Sequence, residues 1–105
     1  MGTLYVSEYR SLASVPSSLT YGPQAGQAPQ EPPTAEYTVN IAGSPTAGQL
    51  FGGYTAMIRV HTDSICSILI GTAPAAATTN KRLAANQTEY FGVAPGQRIS
   101  VITNV

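Results

Sequence analysis

His61, Asp63, Ser64 and Cys66 stand close together in the chain, and His61 is its one histidine and Cys66 its one cysteine. These residue types are the raw material of a thiol nucleophile, in which an imidazole lowers the thiol pKa and promotes attack. The flanking residues argue against that use. Residues 54–62 and 65–70 are two β-rich runs, and Asp63-Ser64 between them reads as the turn of a hairpin. His61 and Cys66 then fall on opposite sides of the turn. Cys66 shares its face with Ile68 and Ile70, where a thiol behaves as a small buried hydrophobe. A metal centre needs three or four His, Cys or carboxylate ligands, and one His with one Cys falls short. The sequence therefore predicts no enzyme activity, no catalytic residue, no metal and no cofactor.

Other candidate chemistry fares no better. Gly48, Gly52 and Gly53 are not followed by Lys-Ser/Thr, and no helix N-terminus is expected behind them to hold a phosphate. Lys81-Arg82 is the one adjacent basic pair, whereas Arg59 and Arg98 sit apart on predicted strands. Nucleic-acid binding needs a clustered basic patch interleaved with aromatics, so no nucleic-acid partner is expected. Asn86-Gln87-Thr88 fits the glycosylation sequon, read as chance in a chain without secretion features. No basic segment followed by an apolar one opens the sequence, and no apolar run approaches the ~18 residues a membrane span needs. The chain is expected to be made in a cytoplasm, without a membrane partner.

The elements that carry these residues are all β. In 54–62, Tyr54, Ala56, Ile58 and Val60 alternate with Thr55, Met57, Arg59 and His61. In 65–70 both faces are apolar, because Ile65 and Leu69 oppose Cys66, Ile68 and Ile70. Such a strand needs cover on both sides. Residues 36–42 alternate Tyr37, Val39 and Ile41 against Thr38 and Asn40. Residues 87–93 set Glu89, Phe91 and Val93 against Thr88, Tyr90 and Gly92, and 97–103 point Ile99 and Val101 inward. No stretch carries a helical period. The predicted fold is all-β, a small β-sandwich or barrel of about five to seven strands with an extended N-terminal arm.

That arm is drawn from composition. Residues 13–35 hold Pro16, Pro23, Pro29, Pro32 and Pro33 among glutamines and glycines, a mixture expected to stay extended and unable to bury a core. The predicted division is an arm over 1–35, with a short strand at its tip carrying Leu4 and Val6, and a compact β domain over 36–105. So small a core, with a single cysteine, implies help from association. Charged residues make up 10% of the chain, five positive and five negative, against about 25% in ordinary soluble domains. Low charge near neutrality favours association. Six tyrosines and no tryptophan add amphipathic rings suited to interfaces. The expected interface residues are Leu4, Tyr5, Val6, Tyr9 and Tyr21 on the arm, with Ile65 and Leu69 on the second apolar face.

The opening MGTLYVSEY, the Pro/Gln-rich joint and the block RVHTDSICSILIGTAPAAATTNKRLAANQTEYFGVAPGQRISVI together resemble small virion structural proteins of tailed bacteriophages. The resemblance covers the last fifty residues well and the first nine loosely. In architecture such proteins are similar to capsid decoration, or cement, subunits. The resemblance implies a homotrimer on the virion that braces the major capsid protein or other virion subunits. A tail, connector or fibre-base component is the alternative it leaves open. A receptor- or glycan-binding module ranks below both, because residues 72–86 hold no aromatic to stack on a sugar.

Overall fold

A computed structural model describes the backbone of residues 2–15, 24–29 and 31–104, with side chains for 2–11 and 31–104. Ten strands succeed one another in chain order: β1 Gly2–Tyr9, β2 Leu12–Val15, β3 Gln24–Pro29, β4 Ala35–Ile41 and β5 Thr46–Ala47, then β6 Met57–Thr62, β7 Cys66–Gly71, β8 Lys81–Leu83, β9 Thr88–Gly92 and β10 Arg98–Thr103. Eight of them build two antiparallel four-stranded sheets. The first runs β4-β1-β6-β9 and the second β5-β10-β7-β8. The sheets enclose one core of Leu4, Val6, Val39, Ile41, Ile58 and Val60 on one side and Cys66, Ile68, Leu83, Ile99 and Val101 on the other, closed by Phe51. The all-β sandwich expected from alternation is the fold, with more strands than expected.

Two expectations are corrected. The first nine residues are not the tip of an arm. β1 lies inside the first sheet, paired with β4 from Gly2↔Ile41 to Glu8↔Ala35 and with β6 from Leu4↔Thr62 to Tyr9↔Met57. Its alternation sends Leu4 and Val6 into the core, where both are buried, so neither is available as an interface residue. Composition misled here because the Pro-rich character belongs to the joint alone and carries no information about the strand before it. Within that joint, β2 pairs with β3 as a separate two-stranded sheet. Pro29 sits at the end of β3, opposite Leu12, where a missing N–H is tolerated.

Nor do 54–62 and 65–70 form a hairpin. β6 belongs to the first sheet and β7 to the second, so Asp63-Ser64 carries the chain across the core edge from one layer to the other. Strand alternation looks the same in a hairpin and in such an arch, and only pairing partners separate them. The corner is bonded locally. Thr62 Oγ1 donates to the Ser64 carbonyl and accepts from the Ser64 N–H, and Asp63 Oδ1 accepts from Thr3 N at 2.7 Å and Ser64 Oγ at 3.1 Å. A Cβ at Gly2 would meet both corner side chains, Ser64 Cβ at 2.6 Å, so only glycine fits there without displacing the corner.

The second face of β7 is covered by its own chain in part. Asn104 Nδ2 donates to Ser67 Oγ at 2.6 Å and to the Thr78 carbonyl at 3.1 Å, and Ala76 N donates to Ser100 Oγ at 2.9 Å. The loop of residues 72–80 therefore lies over Ser67 and Ser100, and leaves Leu69 37% exposed.

Leu4→Ala removes a fully buried side chain from an interior strand and is expected to cost about 2–5 kcal/mol in urea unfolding. Leu69→Asn, at the exposed end of β7, is expected to cost less than about 1 kcal/mol. The Thr3 N–H holds the Asp63 carboxyl below its usual range, with Ser64 adding to the effect. A depressed folded pKa stabilises above the unfolded value of ~3.9, and that contribution disappears as pH falls through the folded value. Asp63→Asn should thus be less stable than the parent near neutrality, with the gap closing in acid unfolding below about pH 4.

Candidate functional site

The outer face of the first sheet is assembled from four strands whose inward residues are already used by the core. The registers align its outward side chains in rows. Thr38, Tyr5, His61 and Thr88 form one row, Glu36, Ser7, Arg59 and Tyr90 the next, and Tyr9, Met57 and Gly92 the third. Neighbours in such a row stand ~4.5–5.5 Å apart and act as one surface. Small Ser7 lies between the longer side chains, and the face sinks there into a groove of about 590 Å³ bounded by Tyr5, Glu36, Thr38, Arg59 and His61.

Each group in the groove is oriented by a definable contact. His61 Nδ1 shares a hydrogen bond with Thr88 Oγ1 at 2.7 Å, and its ring meets Tyr5 at 6.3 Å between centroids, tilted by 47°. Ser7 Oγ donates to Glu36 Oε2 at 3.4 Å, a long bond. Tyr5 on β1 and Tyr90 on β9 remain 46% and 49% exposed on either side of β6. The Arg59 guanidinium makes no hydrogen bond or ion pair among the described residues, so its donors are available to a partner. Tyr, Arg and Met are among the side chains enriched at the centres of protein interfaces.

One border of this face is the foot of the β2–β3 ribbon. Tyr9 Oη donates to Glu31 Oε2 at 2.8 Å, and Thr34 N donates to the Glu8 carbonyl at 2.7 Å. Burial, with Glu31 beside it, pushes the Tyr9 phenol above its ordinary pKa, so it stays a neutral donor. The segment that follows β3 is in this way fixed to the end of β1. Arg10 lies over the exposed Tyr54 ring at 5.3 Å, a cation–π contact.

Of the expected interface residues, Tyr5 is exposed on this face and Tyr9 lies on it but beneath Glu31. Leu4 and Val6 face the core, and Tyr21 lies outside the described residues. Ile65 is half-buried just past the corner. Leu69 borders a separate cleft of about 390 Å³ with Phe91 and Lys81, whose Nζ stands 4.8 Å from the Phe91 ring. The expected set is therefore divided between two sheets rather than brought together. Arg59, Met57, Tyr90 and Glu36 were not among the expected interface residues. The alternation of 54–62 already placed Met57, Arg59 and His61 on one face, but the neighbours that complete it come from the register.

The thiol chemistry weighed for His61 and Cys66 is not assembled. His61 points to the outer face, whereas Cys66 lies in the core with its Sγ 3.5 Å from Thr62 Oγ1. Burial pushes the thiol pKa up. Among the described residues no group of three or more His, Cys, Asp or Glu side chains could hold a metal ion. No family model, no curated protein and no solved structure matches the chain. Cys66 should resist alkylation in the folded protein at pH 8 and react fully in denaturant, as mass spectrometry would register. Prompt native labelling would contradict its burial.

Proposed function

We propose that the protein is a virion structural subunit, a decoration or cement protein of a tailed-bacteriophage head that braces capsid subunits by surface complementarity. The observation that carries this reading is the outer face of the first sheet, with exposed Tyr5 and Tyr90 beside Arg59, whose guanidinium has no partner among the described residues. Rings that bring large area with few rotatable bonds, next to a guanidinium, suit a rigid contact on another protein. The 10% charge content supports a subunit designed to be packed, and the resemblance of the sequence supplies the particle. The reading needs no turnover. Contact area removed from water, at ~25 cal/mol per Å², offsets the ordering cost and adds to the cohesion of the shell.

The geometry favours a second reading at one point. Tyr5, His61, Arg59 and Glu36 around one groove combine a stacking ring with hydrogen-bond donors and acceptors, as a sugar would require. A glycan-binding module would use the same face, which residues 72–86 did not foretell.

Two substitutions test the first reading. Tyr5→Ala and Arg59→Ala remove outward side chains and should leave the fold intact, while each weakens binding to purified capsids by about 10- to 30-fold, the scale of hot-spot truncation. Unchanged capsid binding in both variants, or binding to a glycan array lost in both, would transfer the face to another role. Cryo-EM of the particle supplies the location, and density on the tail instead of the head would favour the connector or fibre-base alternative.

A further inference from the structure

The four edges of the two four-stranded sheets are unequal. β5 spans two residues and β8 three, and β9 spans five and ends in Gly92, whereas β4 offers seven. Soluble proteins guard long edges with lysine, proline, a bulge or a covering segment. Ala35–Ile41 contains neither lysine nor proline, and its pairing to β1 runs without a register shift.

The hydrogen-bond phase fixes which groups this edge presents. Asp63 N donates to the Thr3 carbonyl at 3.2 Å, so on β1 Thr3, Tyr5 and Ser7 direct their main chain toward β6. Leu4, Val6 and Glu8 then direct their main chain toward β4, opposite Val39, Tyr37 and Ala35, with the Glu8 carbonyl accepting from Thr34 N. The bond from Val93 N to the Ala56 carbonyl, 3.0 Å, places β6 and β9 in the same phase. Glu36, Thr38 and Asn40 are left with N–H and C=O turned away from the sheet, and all three side chains are exposed.

We infer that this edge pairs with β4 of a second copy, antiparallel about a two-fold axis through Thr38. That register alone engages all three outward residues on both chains, Glu36 with Asn40 of the second copy and Thr38 with its equivalent, each pair exchanging two N–H···O bonds. Centring on Tyr37 or Val39 leaves one outward residue beyond the ladder or opposite main chain already in use, since Thr34 N bonds Glu8 and the Ala42 carbonyl accepts from Thr103 N. The side chains agree with the Thr38 register. Glu36 meets a neutral amide instead of another carboxylate, and on the inner face Tyr37 meets Val39, an aromatic–β-branched pair. The two first sheets become one eight-stranded layer, and their outer faces continue across the junction. The pairing supplies the self-association that a virion subunit would use but depends on the isolated protein alone.

Thr38 provides the test in both directions. Its N–H is not used by β1, so Thr38→Pro is expected to keep the thermal transition and abolish the dimer, weakening self-association at least tenfold in sedimentation. Thr38→Cys places two thiols opposite each other within the ~4.4–6.8 Å Cα range of a disulfide, and should give a covalent dimer under mild oxidation. Thr88→Cys on the far edge should not. A wild-type protein that is monomeric at high concentration, or trimeric, overturns the inference, as does a Thr38→Cys protein that fails to cross-link. A dimer with all these properties that never appears on particles would overturn the virion reading and leave this pairing standing.

Discussion

The first sheet depends on one insertion: β1 between β4 and β6, with the main chain of both its edges in use. Its partners are separated from it by the ribbon on one side and by about half the chain on the other. Contacts of that sequence separation are slow to form, because loop closure must be met before pairing rewards it. Once formed, β1 supplies Leu4 and Val6 to the core and joins two strands that would otherwise each expose an edge. The ribbon is a consequence of this arrangement. β4 returns antiparallel beside β1, so whatever lies between them leaves and re-enters at one corner, where Tyr9 with Glu31 and Thr34 with Glu8 tie the returning chain to the end of β1.

That corner also holds the most demanding group in the protein. Glu8 continues the inward series of Leu4 and Val6 and is 1% exposed, a position where a carboxylate loses nearly all its water. Its Oε1 recovers two hydrogen bonds, from Thr55 Oγ1 at 2.7 Å and from Gly52 N at 3.0 Å. Among the described residues Oε2 has no hydrogen-bond partner, and the buried Tyr37 hydroxyl has none either. Burial and the neighbouring Glu8 push the Tyr37 phenol pKa well up, which places the two groups within electrostatic reach although their geometry falls short of a hydrogen bond. The carboxylate thus fixes the loop before β6 to the end of β1, and this loop carries Tyr54 and the buried anchor Phe51. An apolar residue would spare the desolvation cost but would leave the Gly52 N–H and Thr55 hydroxyl without their acceptor.

The extent of the fold that the sequence disclosed is set by the reach of periodicity. Alternation identified the inward residues of β4, β6, β9 and β10, because each strand keeps one face in the core over several residues. It also found β1 as a strand. It did not find the place of β1, since the proline-rich residues after it carry no mark of the partner on their far side. The arch at Asp63-Ser64 was hidden for a similar reason: turn chemistry states that the chain reverses, not whether it reverses within a layer or between two. The doubled apolar character of β7 was informative but incomplete. Ser67 and Ser100 are covered by polar contacts from Asn104 and Ala76, which no hydrophobic pattern records, and only Leu69 stays open. The groove of the first sheet was least legible of all, as its lining comes from β4, β1 and β6, and only the register brings them side by side.

The exposed surfaces of the first sheet differ in what they can recognise. The outer face offers side chains, Tyr5, Tyr90 and Arg59, whose selectivity for a partner would rest on shape and on where a guanidinium finds its acceptor. The β4 edge offers main chain, which nearly any extended segment could satisfy, so its selectivity must come from register. Self-pairing about Thr38 supplies that selectivity through a carboxylate that meets an amide on each side of the axis. The two surfaces lie at right angles, since strand hydrogen bonds run in the sheet plane and side chains stand out of it. Occupying the edge therefore leaves the face free and doubles its extent across the junction. A low charge content supports this arrangement, because main-chain pairing gains nothing from a strong field and is opposed by like charges placed opposite one another.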